Sequence, residues 1–167
     1  MSWDFFLDSL DNIKLFSVGI AVATIVVLGF SVFFDNRKSI TNRTFLLFSL
    51  ATTLYSVSNY IVFQLNSPQL ALWFLRLVIF SATWHAFLLF HLFYVFPKEA
   101  IQLPRLYKWG LVPLVALVSL LNLTPLVFVN IEEFFPGFGP TKVANGPGIL
   151  LFGALVVGLL VSGIFLI

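Results

Sequence analysis

The sequence predicts an all-α, polytopic transmembrane helix bundle with five spanning helices and its N-terminus outside. Three observations carry that prediction. The 167 residues are 60% hydrophobic and only 10% charged, where a soluble domain is nearer half apolar and a quarter charged. Five apolar stretches, about 13–34, 44–64, 69–96, 109–128 and 147–167, are each near the ~20 residues that a helix needs to cross the hydrocarbon. The connections between them carry Lys and Arg on alternate sides. Lipid leaves backbone N–H and C=O groups unsatisfied, so each stretch is expected to be helical. The ten-residue alternation of an outer-membrane barrel is missing.

Residues 1–12 form an extracytoplasmic acidic tail. They lack the basic start and small-residue cleavage site of a signal peptide. Trp3, Phe6, Leu7 and Leu10 recur at helical spacing opposite Asp4, Asp8 and Asp11, which suits a short helix on the membrane surface; a frayed tail accounts for the pattern equally well. The first connection carries Arg37, Lys38 and Arg43, and Ser39, Thr41 and Asn42 there suit a helix N-cap. The second connection, around Leu65 to Pro68, carries no charge and is so short that the second and third helices must be antiparallel neighbours. Pro97 closes the third helix, because its ring cannot continue one. Lys98, Arg105 and Lys108 follow. Pro113 is expected to kink the fourth helix. Asn130 to Gly148 makes the one sizeable outer connection, where turn residues alternate with Phe134, Phe135 and Phe138. It is either a folded lid over the bundle or a flexible loop. Six basic residues fall on one side and two, Lys14 and Lys142, on the other. Cytoplasmic connections are enriched in Lys and Arg, so the first and third connections are assigned to the cytoplasm. No basic cluster suggests nucleic acid.

The third helix holds the unusual residues. Arg76 lies roughly 11–14 Å inside its helix at about 1.5 Å per residue, with no Asp or Glu in any predicted span. Trp73, Arg76, Phe80, Thr83, Trp84, Phe87, His91 and Tyr94 share one broad face. Thr52, Ser56 and Asn59, with Tyr55 and Tyr60 nearby, form a polar stripe on the second helix, and mirroring about the turn sets Arg76 level with Ser56 to Asn59. One reading makes Arg76 the anion-reading group of a pocket lined by Trp73, Ser56, Asn59, Tyr60 and Trp84. The other has it snorkelling to headgroups or bonded to Ser and Asn oxygens for packing. His85 and His91 are six residues apart, turned about 240° from each other, and cannot share a metal. His85 suits an interhelical hydrogen bond, and His91 a helix end near water. With no Cys, thiolate metal sites and cysteine catalysis are excluded, and no cofactor or metal is expected.

These residues also carry a resemblance. Asn42-Arg43-Thr44-Phe45-Leu46-Leu47-Phe48, Arg76 after Trp73-Phe74-Leu75, Phe87-Leu88-Leu89-Phe90-His91 followed by Phe93-Tyr94-Val95-Phe96-Pro97, and Asn145-Gly146-Pro147-Gly148 occur in order. Together they resemble the seven-helix N-terminal sensor region of bacterial histidine kinases and diguanylate cyclases, of which this chain would be the first five helices. The resemblance implies signal transduction, as in two-component systems: a receptor region in the bacterial inner membrane that relays an extracellular or membrane stimulus to a cytoplasmic output domain in the same polypeptide. A homodimer is compatible with it. The last stretch ends without a Lys or Arg anchor, so the chain is expected to be the N-terminal part of a longer protein. No catalytic constellation is present, and this chain is not expected to be an enzyme. The alternatives are a small transporter fragment or a structural membrane subunit. A transporter would want broken helices or inverted repeats.

Overall fold

A computed structural model of the protein describes the backbone of residues 3–97, 101–136 and 138–166, with side chains from Ile13 onward, Lys14 excepted. The order is α1 (Trp3–Asp35), α2 (Ile40–Gln64), α3 (Pro68–Val95), a π-helical turn (Tyr107–Leu111) running into α4 (Val112–Leu121), β1 (Phe128–Phe135), β2 (Gly139–Asn145) and α5 (Gly148–Ile164). Among the described residues three helices are long and apolar enough to cross a membrane: the Leu15–Asp35 part of α1, α2 and α3. The other two apolar helices, Tyr107–Leu121 and Gly148–Ile164, are shorter. At about 1.5 Å per residue they run roughly 22 and 26 Å, against a hydrocarbon core of about 30 Å. Among the described residues five helices are therefore present, and three have full spanning length.

The structure departs from the sequence expectation in four places. Helix α1 continues back through the tail to Trp3, rather than starting near residue 13; the side chains of Asp4, Asp8 and Asp11 lie outside the described residues. Helix α2 begins at Ile40, four residues early, because the Ser39 hydroxyl accepts from the Asn42 N–H and caps it there. The fourth apolar stretch is not one helix. Pro113 has no N–H to bond back one turn, and the turn before it is π-helical, with the Val112 N–H donating to the Tyr107 carbonyl. Helix α4 then ends at Leu121, so the last residues of the 109–128 stretch are turns and the start of a strand. Finally, the fold is not purely α-helical. Strands β1 and β2 form an antiparallel hairpin.

Helix α3 is the hub. It packs against α2, α4, α5 and both strands, while α1 packs on α2. The α1–α2 crossing is close because Gly29 has no side chain: a Cβ there would meet Ser49 Cβ at 2.7 Å. Asn42 Nδ2 also donates to the Val32 carbonyl across that crossing at 2.7 Å. One end of the bundle gathers Arg37, Lys38, Arg43, Arg105 and Lys108. Thr41 Oγ1 bonds the Val95 carbonyl there, at 3.4 Å, which brings the start of α2 to the end of α3. The hairpin covers the opposite end. Gly139, with φ +79°, packs against the Phe63 ring near the end of α2. The sequence left a lid and a flexible loop open, and the hairpin answers as the lid. Its neck depends on glycines. Gly146 N–H donates to Val127 O and Gly148 N–H to Leu126 O, both at 2.8 Å, and a Cβ at Gly146 would lie 2.1 Å from the Leu126 carbonyl oxygen.

Candidate functional site

Four polar residues of α3, Arg76, Thr83, His85 and His91, form a row of ties, each to a different neighbour. Arg76 comes first. It is 5% exposed, and two guanidinium nitrogens converge on one main-chain oxygen: Nη2 donates to the Phe128 carbonyl at 2.6 Å and Nε at 3.2 Å. A cation at this depth needs oxygen. The structure supplies it from β1, not from a carboxylate. Glu132 instead pairs with Lys142 at 2.7 Å, which raises the Lys142 pKa, and Glu133 accepts from Thr141 at 3.4 Å. The Phe128 carbonyl lies at the start of β1, next to a place where the hairpin register shifts, between Phe128 and Asn130.

Two turns along, Thr83 Oγ1 donates to the Ile79 carbonyl at 2.9 Å and accepts from Asn122 Nδ2 at 2.8 Å. Both residues are fully buried. This tie reaches the C-terminal cap of α4. His85 comes next, with Nδ1 3.0 Å from Thr52 Oγ1 on α2. The last is His91, whose Nδ1 is 2.6 Å from the Tyr107 hydroxyl at the π-helical turn. Phe87 stacks on His91 at 7°, and Tyr94 stacks on Tyr107 at 5.3 Å. From Arg76 to His91 the row spans roughly 22 Å along the helix, at about 1.5 Å per residue.

Of the residues singled out in the sequence, Trp73 lies with Arg76 and Trp84 lies apart from it. Trp73 does join Arg76, its ring 5.2 Å from the guanidinium carbon, although its side chain is more than half exposed. Trp84 sits about 12 Å further along α3 at about 1.5 Å per residue. It packs edge-on against Phe87 at 5.9 Å, beside the apolar cluster of Ala86, Phe87, Leu88, Tyr107, Val115 and Leu159. Ser56, Asn59 and Tyr60 are half-buried on α2, and α2 does run along α3. The described hydrogen bonds of the Arg76 side chain go to Phe128 alone. His85 makes the interhelical bond expected of it, while His91 is tied to Tyr107 and not simply a helix-end residue. Asn122 and Tyr107 escaped the sequence reading. Asn122 was detectable as a lone amide inside an apolar stretch, and Tyr107 as an aromatic between two basic residues.

Among the described residues no group of three His, Cys, Asp or Glu could hold a metal. Compared with family models, curated proteins and solved structures, the chain matches none.

Proposed function

We propose that this chain is a membrane-embedded sensory region, which registers a stimulus at the hairpin end and passes it along α3 to an output domain on the far side. The observation that carries this reading is the row of ties on α3. One helix is bonded to the lid at one end, to α4 and α2 midway, and to the π-helical turn at the other. A displacement of the hairpin pulls on Arg76, and α3 contacts α2, α4, α5 and both strands. Packed bundles respond to such pulls by switching between discrete arrangements. A stimulus acts to the extent that it favours one of them.

The direction of relay follows from charge. The end bearing Arg37, Lys38, Arg43, Arg105 and Lys108 faces the cytoplasm by the positive-inside rule, so the hairpin is extracytoplasmic. The motif resemblance suggests a histidine kinase or cyclase as the output and the bacterial inner membrane as the location. Arg76 acts here as a latch between lid and α3. Its need for oxygen is met within the fold, so an anionic ligand is no longer required to explain it.

The test uses the natural full-length protein in native membranes. Arg76→Met, which cannot hold the Phe128 carbonyl, is expected to shift the basal activity of the output domain. Unchanged basal and stimulated activity at equal membrane abundance would overturn the relay. A reading frame with no output domain after Ile167 would remove its premise.

A further inference from the structure

We infer that the cavity between α2, α3 and α5 binds a neutral, hydroxyl-bearing lipophile, whose hydroxyl donates a hydrogen bond to His85 Nε2. The site is separate from the Arg76 latch and does not depend on the relay. The cavity has a volume of about 300 Å³ and is lined by Tyr55, Ala82, His85, Ala86, Leu89, Val156 and Leu160. That volume is at the lower end for small-molecule sites, which are apolar with a few placed polar groups. Its polar side chains are His85 and Tyr55, whose rings lie 6.2 Å apart.

The Thr52 hydroxyl lies 2.8 Å from the Phe48 carbonyl and 3.0 Å from His85 Nδ1. We assign its one proton to the Phe48 carbonyl, which leaves it an acceptor toward Nδ1. In that tautomer Nδ1 carries the proton, and a neutral ring then has its lone pair on Nε2. Nδ1 is turned to Thr52, so the opposite edge of the ring, with Nε2, is what His85 presents to the cavity. Among the described residues Nε2 has no hydrogen-bond partner, and neither does the Tyr55 hydroxyl. An acceptor beside a hydroxyl suits a ligand group that both donates and accepts, which an alcohol or phenol does and an ether or hydrocarbon does not.

The remaining chemistry narrows the class. No lining residue other than His85 can carry charge in the physiological range, so an ionised headgroup would be desolvated without a counter-ion. With no second His or carboxylate in the lining, a metal is not accommodated. His85 lies ten residues from the end of α3, about 15 Å at about 1.5 Å per residue. The ligand therefore enters sideways from the bilayer, past the exposed flank of α5, where Val157, Leu160 and Val161 are open.

The experiment is photolabelling of the protein in lipid nanodiscs with a diazirine-bearing 1-octanol, with adducts mapped by mass spectrometry. Adducts are expected within 82–89 and 156–160. Unlabelled 1-octanol should compete about tenfold better than octyl methyl ether, the factor that one net hydrogen bond supplies. His85→Leu should abolish that preference, and Ala82→Phe, which fills the cavity but keeps His85, should abolish the adducts. Equal competition by alcohol and ether on the wild type, or adducts confined to other segments, would overturn the site. The wild-type comparison decides alone if either variant fails to fold.

Discussion

Replacing Arg76 by Met removes the guanidinium while keeping a long apolar stem, so the change acts mainly on the latch. Three contributions are lost. The bond from Nη2 to Phe128 O at 2.6 Å is short and charge-assisted, and hydrogen bonds to charged groups contribute about 1.5–3 kcal/mol. The bond from Nε to the same oxygen, at 3.2 Å, sits at the long edge of the usual range and adds a fraction of that. The stack on Trp73 is at a partly exposed ring, where cation–π attraction is worth about 0.5–1 kcal/mol. The sum is about 3 kcal/mol, or roughly two decades in an equilibrium constant. That loss falls on docking of the hairpin against α3 and not on the bundle, because burying Met in place of a cation costs the helices nothing. Hydrogen exchange in nanodiscs separates the two. Amides of Lys142 to Asn145 should lose protection by up to about a hundredfold, while those of Thr83 to Leu88 stay unchanged. Arg76→Lys, a point donor without the fork, should fall between Met and wild type. Unaltered protection of the hairpin in the Met variant would refute the latch. Equal loss throughout the bundle would show that Arg76 supports the whole fold instead.

Three other outcomes are expected. Gly146→Ala should be severely destabilising, because its Cβ would lie 2.1 Å from main-chain oxygen at Leu126 and 2.6 Å from that carbonyl carbon; a cost of at least about 3 kcal/mol, the upper range for overpacking, should appear as a large fall in Tm in detergent. Gly29→Leu should cost about 1–3 kcal/mol by prising α1 from Ser49 on α2, whereas Gly19→Leu, at a glycine with nothing within 4 Å, should leave Tm unchanged; equal effects at both would argue against the close crossing. Because the chain has no cysteine, single substitutions report topology without background. Thr141→Cys should react with an impermeant maleimide in intact cells, Lys38→Cys only after permeabilisation, and the reverse pattern would invert the orientation.

What the sequence disclosed and what it hid differ by range. The three long apolar helices and the antiparallel α2–α3 pair follow from composition and local spacing, and the structure has them; of the capping candidates Ser39, Thr41 and Asn42, it uses Ser39. The break before α4 was half visible. Pro113 announced a distortion, but the π-helical form it takes depends on where Tyr107 packs, against His91 and Phe90 on α3. The hairpin was hidden more deeply. Its strands do not alternate cleanly, since β1 places a half-buried residue every third position and the register shifts three times. A period-two search therefore passes over it. Its glycines act on backbone 20 residues away in sequence, as Gly146 does on Leu126.

The Arg76 latch is the most instructive case. The need was legible: a cation deep in a helix, with no acid in any span. The answer was not, because the partner is a main-chain oxygen, which every residue carries and no residue type signals. Only a fold that lays β1 against α3 brings that oxygen to residue 76. Without the hairpin the helix would leave a buried charge unmet. That dependence makes the hairpin an integral part of the bundle, and it is why a perturbation of the lid bears on α3.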